Sequence, residues 1–193
     1  MRKLTAYIDF KSPESYLAFH QTIALTKTNN IQVDWKPFLT KYRAIPVTGA
    51  NETKGETHLR IREEHKKYLN LKYAEILNLP MKYPLTESKT DLALAIISQL
   101  NIVNQEYLQL AFSYFWRDGL NLNETKTVNE LLTASGIDYI VPKDTENLLN
   151  ALNQLTTQAK ESGVIATPTY QIENQLFLGR EHLPWIKEEL TTN

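Results

Sequence analysis

Asp9-Phe10-Lys11-Ser12-Pro13-Glu14-Ser15-Tyr16-Leu17-Ala18 is the stretch around which this chain is organised. It closes an opening run, residues 4–10, in which apolar and polar positions largely alternate as a strand requires. Ser12 reads as a helix N-cap, because its hydroxyl can accept from an otherwise orphaned backbone N–H. Pro13 fits the first helical position, where its fixed φ suits a helix and no N–H is missed. A hydroxyl therefore sits at a strand-to-helix junction, at the positive end of a helix dipole. Such an end stabilises an anion by roughly 0.3–1 kcal/mol when exposed, and more when partly buried. The junction is suited to a thiolate or a phosphate.

Ser12-Pro13-Glu14-Ser15 also stands where thioredoxin-like redox proteins place Cys-x-x-Cys, after the first strand and opening the first helix. Near the other end, Gly163-Val164-Ile165-Ala166-Thr167-Pro168-Thr169-Tyr170 looks like the segment that carries the cis-proline of that fold into a strand beside the site. Gln175-Leu176-Phe177-Leu178-Gly179-Arg180-Glu181-His182-Leu183-Pro184 follows it. Taken together the two ends resemble one DsbA-like branch, the 2-hydroxychromene-2-carboxylate isomerases and kappa-class glutathione transferases. Their opening pattern, Asp-x-x-Ser-Pro-x-Ser-[Tyr/Trp]-Leu, is present here from Asp9 to Leu17. The resemblance runs from about residue 4 to residue 190 and is strongest at the two ends.

Composition bounds the rest. At 193 residues one domain is expected, burying roughly 70% of its unfolded surface. Forty-two per cent hydrophobic and 22% charged residues argue against disorder. A formal net charge of −1 gives no electrostatic reason to expect nucleic acid or an anionic membrane. The longest purely apolar run, residues 92–97, falls far short of the roughly 20 needed to span a bilayer. Met1-Arg2-Lys3 begins like a signal peptide, but Asp9 interrupts any apolar core of one, so the expected location is cytoplasmic. The absence of cysteine excludes disulfides, thiolate metal sites and a dithiol redox cycle within the sequence.

Hydrophobic periodicity predicts a first helix to about residue 28 and a second strand over 31–38. Residues 41–54, with Pro46 and Gly49, read as a loop long enough to be a lid or binding loop. A helix is expected over 56–79, with Ile61, Tyr68, Leu69, Tyr73, Ile76 and Leu77 on one stripe and Pro80 as its stop. Ser88-x-x-Asp91 resembles a capping box ahead of the apolar, hence buried, residues 92–97. Further helices are expected from Asn104 to Trp116, from a Thr127-x-x-Glu130 cap to Gly136, and from Asp144 to Gly163. Strands at 164–172 and 175–178 and a helix from about His182 complete the chain. The expected fold is α/β and thioredoxin-like, βαβ…ββα, with an all-helical insertion at approximately 40–160 inside one domain spanning 1–193.

A serine hydroxyl is a poor base, and no histidine adjoins Ser12 to activate it, so a serine-hydrolase reading lacks its usual partner. Its plausible work is to donate a hydrogen bond to a thiolate. A charge-assisted bond of about 1.5–3 kcal/mol would lower a thiol pKa near 8.5 by roughly one to two units. The resemblance implies that the thiol is glutathione, bound as cofactor with its sulfur at Ser12. It further implies that Thr167, before Pro168, offers backbone groups to the ligand as a strand would. Glu181 stands where the family usually has the Asp that holds the γ-glutamyl amino group, while Arg180 and His182 depart from the pattern. Asn51 and Arg62 align with family residues that reach glutathione and a carboxylate; otherwise they are a loop amide and a solvated helix charge. Ser15 reads as structural, and Trp116 as core or dimer contact. His58 and His65 lack acidic partners, so no metal is expected.

Glu14 replaces the motif's usual aromatic or apolar residue. The helix dipole favours a carboxylate there, but a like charge within about 4–6 Å would oppose a thiolate. A carboxylate gains by staying wet, so the side chain is expected to point outward. The resemblance thus implies a glutathione-dependent isomerase or kappa-type transferase acting on an aromatic or conjugated carbonyl compound, and a homodimer. The rival reading is a redox-inactive thioredoxin-like protein that binds extended peptides or protein partners at the Thr167-Pro168 edge.

Overall fold

The opening alternation becomes β1 (Leu4–Ile8), in which Leu4, Ala6 and Ile8 are buried while Thr5 and Tyr7 are half-buried. This is seen in a computed structural model that describes residues 3–29, 31–41, 52–84, 89–100 and 104–191. β2 (Val33–Pro37) pairs parallel to β1, with Leu4 opposite Val33 and Ile8 opposite Pro37. β3 (Thr169–Ile172) pairs antiparallel to the other side of β1, and β4 (Gln175–Leu178) antiparallel to β3. The sheet order is β2-β1-β3-β4. Its centre brings the exit of β1 beside the entry to β3.

α1 (Pro13–Asn29) links β1 to β2. Between β2 and β3 come α2 (Lys54–Ile76), α3 (Asp91–Ile96), α4 (Gln105–Trp116), α5 (Thr125–Ala134) and α6 (Glu146–Glu161). α7 (Leu183–Thr191) follows β4. α3 packs against α6, and α6 against β2, while α1 packs against α2, α4 and α7. The expected βαβ…ββα frame with helices between its halves is therefore present.

An aromatic cluster welds those helices to the frame. Phe10 meets Phe112 edge-on at 5.1 Å between centroids, and Tyr16 stacks on Trp116 at 6.0 Å. The Trp116 indole N–H donates to the Phe10 carbonyl at 2.9 Å. Each such ring removes about 150–250 Å² from water, roughly 4–6 kcal/mol of transfer free energy before ordering costs. Trp116 is thus a core residue that fixes the loop leading to Ser12. Leu92 to Ile97 are all buried, as their uniform apolarity requires.

Several boundaries differ from expectation, each for a local reason. α2 starts at Lys54 because Thr53 and Glu56 form a capping box: Thr53 Oγ1 accepts from the Glu56 N–H at 3.3 Å and Glu56 accepts from the Thr53 N–H at 2.9 Å. It ends at Ile76, ahead of Pro80, in a turn where Asn78 takes a φ of 52° and the Leu79 N–H returns to the Ala74 carbonyl. α5 begins at Thr125, with Thr127 buried inside it and no longer a cap. Thr90 precedes α3 but its hydroxyl goes to Asp9 instead of capping. Ser88, and most of the loop expected over 41–54, lie outside the described residues.

The apolar stripe of α2 is largely exposed. Ile61, Tyr68, Tyr73 and Ile76 are 41–72% exposed, and the buried residues of this helix are Asn70 and Ala74. Periodicity identified an apolar face, and most of it is left open by the described residues.

Candidate functional site

Asp9 is buried without residual exposure, and its carboxylate holds the turn that presents Ser12. It accepts from the Lys11 N–H at 3.1 Å, from the Thr40 N–H and hydroxyl at 2.8 and 2.6 Å, and from the Thr90 hydroxyl at 3.0 Å. The Lys11 ammonium lies 3.8 Å from Asp9 and 3.6 Å from Asp91. One side chain therefore ties together the exits of β1 and β2 and the start of α3. Several hydrogen bonds and a nearby cation are what a fully buried carboxylate needs. Sequence reading placed Asp9 in the motif but gave it no role; a carboxylate ending a buried strand was the available signal.

From this anchored turn, the Ser12 N–H donates to the Asp9 carbonyl at 3.1 Å. Ser12 Oγ accepts from the Ser15 N–H at 3.1 Å, the expected cap. It donates to the Thr167 carbonyl at 3.1 Å. The Thr167–Pro168 peptide is cis. The Pro168 carbonyl in turn accepts from the Gly179 N–H at 2.9 Å. Gly179 has a φ of +95°, and the Glu181 side chain folds into the space that a Cβ there would take. The positive φ is what calls for glycine, since the exposed Glu181 tip could swing away from a Cβ. Ser12, Thr167, Pro168 and the Gly179-Arg180-Glu181 turn are thus joined by a short relay of hydrogen bonds, although the sequence separates them by some 155 residues.

Glu14 does not point to solvent. It is half-buried, with Oε2 3.4 Å from Ser12 Oγ and Oε1 3.4 Å from the Asn70 side-chain nitrogen on α2. The same amide nitrogen donates to the Tyr83 hydroxyl at 3.1 Å, and the Lys67 ammonium lies 5.1 Å from the centre of that ring. A partner 56 residues away outweighs the gain from hydration that favoured an outward rotamer. Asn70 carried no usable signal in the sequence, because a single amide inside a long polar helix looks solvated.

Tyr73 lies three residues beyond Asn70 and so neighbours it on α2. The Arg180 guanidinium stacks on its ring at 3.9 Å. Arg180 is therefore brought to the same corner as Glu14, while Glu181 is exposed at its rim. Tyr170 is buried behind the turn, its hydroxyl 2.6 Å from that of Thr22, and burial pushes its phenol well above the ordinary value. The hydroxyls of Ser15 and Thr167 are buried without a partner among the described residues. Arg62 is exposed on α2 and pairs with Glu63 at 3.6 Å; no recorded contact joins it to Ser12. Asn51 lies outside the described residues.

Two surface hollows, of about 730 and 350 Å³, lie along α5 and between α1 and β2, and neither is lined by Ser12. The first is one face of a single helix and brings no chemically distinct groups together. Among the described residues no His, Asp and Glu side chains gather in a group able to hold a metal ion. No helix there is long and apolar enough to cross a membrane.

The DsbA-like thioredoxin domain family matches residues 3–191, and this chain belongs to that family. Among solved structures it is similar to a 2-hydroxychromene-2-carboxylate isomerase, with a TM-score of 0.72 and 16% identity over 97% of this chain and 94% of that one. It is also similar to a probable DsbA oxidoreductase from Streptomyces coelicolor, TM-score 0.66 and 12% identity over 98% and 90% of the two chains. A third is the cytosolic disulfide reductase DsbM from Pseudomonas aeruginosa, solved with glutathione, at TM-score 0.62 and 12% identity over 97% and 98%. Among curated proteins none matches significantly in sequence. These likenesses establish the fold; with no cysteine, the oxidoreductases' dithiol chemistry has no counterpart among the residues of this chain.

Proposed function

We propose that this protein is a glutathione-dependent enzyme that isomerises an aromatic or conjugated carbonyl compound, with Ser12 stabilising the sulfur's developing charge. The observation that carries the reading is the Ser12 hydroxyl, at the N-terminus of α1 and hydrogen-bonded to the carbonyl that precedes cis-Pro168, in a cysteine-free chain. The chemistry of the residues present fits the tripeptide. Ser12 and the helix end suit its sulfur, the Thr167-Pro168 edge its peptide backbone, the Arg180 guanidinium a carboxylate, and the rim carboxylate of Glu181 an amino group.

Bound glutathione would supply a thiolate nucleophile that adds reversibly to a conjugated carbonyl. The chain's part is to hold and polarise. Ser12 has one proton, given to Thr167 in the free protein, and it must turn that proton toward sulfur to act. The Ser15 N–H keeps Ser12 Oγ in place while it does so. Release of the sulfur after rotation defines an isomerase; keeping it in the product would define a kappa-type transferase. A cytoplasmic location belongs to this reading.

Calorimetric titration with glutathione tests the first step. Saturable binding by the intact protein, with a higher ionisation pH for the bound thiol in Ser12→Ala, supports it; no heat of binding removes it.

A homodimer is part of the proposal. α2 is 23 residues long, buries two of them, and exposes Tyr68 and Ile76 at 57% and 72%. A second copy would cover that face.

The rival reading is peptide binding at the Thr167-Pro168 edge without thiol chemistry; the neighbouring edge strand β4, with Leu176 and Leu178 36% and 41% exposed, adds apolar surface for such a partner. It needs no hydroxyl at position 12. Peptide capture that survives Ser12→Ala, with no glutathione binding, would favour it.

A further inference from the structure

Glu14 is the titratable side chain that the structure brings within reach of Ser12, and the proposed reading has no use for it. Both of its contacts are long, 3.4 Å to Ser12 Oγ and 3.4 Å to the Asn70 nitrogen, and neither partner is a cation. Among the described residues no Lys or Arg forms an ion pair with it. The single Ser12 proton has a shorter acceptor in the Thr167 carbonyl at 3.1 Å. A half-buried carboxylate is therefore left facing the hydroxyl with acceptor capacity to spare. A carboxylate so placed repels a resting thiolate and welcomes a proton donor. These are properties of a base.

We propose that Glu14 is the general base of this site: it holds the bound thiol in its protonated form as an S–H···carboxylate hydrogen bond, and takes the proton only as sulfur gives its electrons to the substrate. This rests on the reading that glutathione binds with its sulfur at Ser12. In the forward direction the S–H bond breaks and an O–H bond forms on a Glu14 carboxylate oxygen. At the same time sulfur forms a bond to the substrate's conjugated carbon and the C=C π bond breaks. Negative charge passes from the carboxylate through sulfur, where Ser12 and the α1 dipole ease its transfer, onto the substrate's carbonyl oxygen as an enolate. When sulfur leaves the product, Glu14 returns the same proton. Nothing is oxidised or reduced, and no proton is exchanged with solvent over the cycle. Asn70 positions the base, since its amide donates to Glu14 and to Tyr83 and so fixes the carboxylate's direction. Other titratable groups that the described elements bring to this corner are Tyr83, with Lys67 over its ring, Tyr73, with Arg180 over its ring, and the exposed carboxylate of Glu181 at its rim.

The division of labour has a measurable sign. In a site containing Ser12 and a helix end alone, the thiol would ionise below its ordinary pKa. With an inward carboxylate beside it, ionisation is held back. Removing the charge must therefore move the ionisation of the bound thiol downward in pH.

The experiment is a pH titration of the thiolate absorbance near 240 nm with glutathione bound to the intact protein, to Glu14→Gln and to Asn70→Ala. Calorimetry at pH 7.5 in two buffers of different ionisation enthalpy accompanies it. The proposal expects intact protein to bind glutathione at that pH with little thiolate signal and little proton release. Glu14→Gln should ionise the bound thiol at least one pH unit lower, with a proton released to buffer. Asn70→Ala should shift it in the same direction by less. Midpoints for the intact protein and Glu14→Gln within half a unit, or a full thiolate signal in the intact protein at pH 7.5, overturn the role of Glu14 and leave glutathione binding standing. Absence of glutathione binding by the intact protein overturns the underlying reading, and this one with it.

Discussion

The hydroxyl of Ser12 donates to the carbonyl of Thr167 at 3.1 Å, closing the site between the two ends of the sequence. The bond uses the proton that a thiolate would need. Ligand binding at this serine is therefore an exchange of one acceptor for a stronger, charged one. A charge-assisted hydrogen bond is worth roughly twice a neutral one, so the exchange is favourable.

Ser12→Ala should act on both stability and chemistry. Losing the cap of α1 should lower the unfolding free energy by about 1 kcal/mol, measured by urea denaturation. The pH at which bound glutathione ionises should rise by roughly one to two units, the equivalent of a bond of about 1.5–3 kcal/mol. A stability loss without that rise would make Ser12 a cap and nothing more.

Asp9→Ala removes the acceptor of four hydrogen bonds and leaves Lys11, Thr40 and Thr90 with unmet donors. The expected cost is about 2–4 kcal/mol, since several buried donors are stranded together. A shift in the urea midpoint worth less than about 0.5 kcal/mol would place the anchoring of the Ser12 turn elsewhere.

Stability should fall on mild acidification because of His20. Burial holds its imidazole below the ordinary value of 6.5, with the rings of Phe19 and Tyr16 edge-on to it. As pH drops through about 6.5 the unfolded chain takes the proton first, so stability present above that pH is lost toward the lower folded pKa. Burial raises Tyr107 and Tyr170, which gives the opposite limb: their contribution is present below about pH 10 and is lost as pH rises beyond it. Unfolding free energies at pH 7 and 5.5 should differ in the intact protein and differ less in His20→Gln. Equal slopes in the two would assign the acid limb to other groups.

The exposed face of α2 should determine the oligomeric state. Sedimentation should give twice the chain mass for the intact protein and a single chain for the Tyr68→Lys, Ile76→Lys double variant. A monomer at the outset would leave that face without its proposed partner.

Much of the frame was legible because its signals are local. Ser12 and Asn104 cap helices through bonds to their own first turns, and the Leu92–Ile97 run is buried because nothing in it is polar. The Thr167-Pro168 segment was legible through resemblance, together with the Asp9 motif. What escaped depends on contacts between distant segments. Glu14 turns inward because Asn70 approaches it from another helix, and Asp9 acquires its role from Thr40 and Thr90. The stripe on α2 shows the remaining limit: a period of 3.6 marks an apolar face but says nothing of whether the same chain covers it. Thr53 was missed because that helix was expected to begin at Glu56, the partner that completes its capping box.

The most direct test of glutathione use is equilibrium binding of reduced glutathione to the intact protein, by calorimetry up to about 10 mM, a limit that reveals any interaction stronger than roughly −3 kcal/mol. The account predicts saturable binding at one site per chain, weakened in an Arg180→Ala variant that keeps its fold. Absence of binding across that range would contradict it, and would leave a DsbA-like fold whose serine serves only to cap its helix.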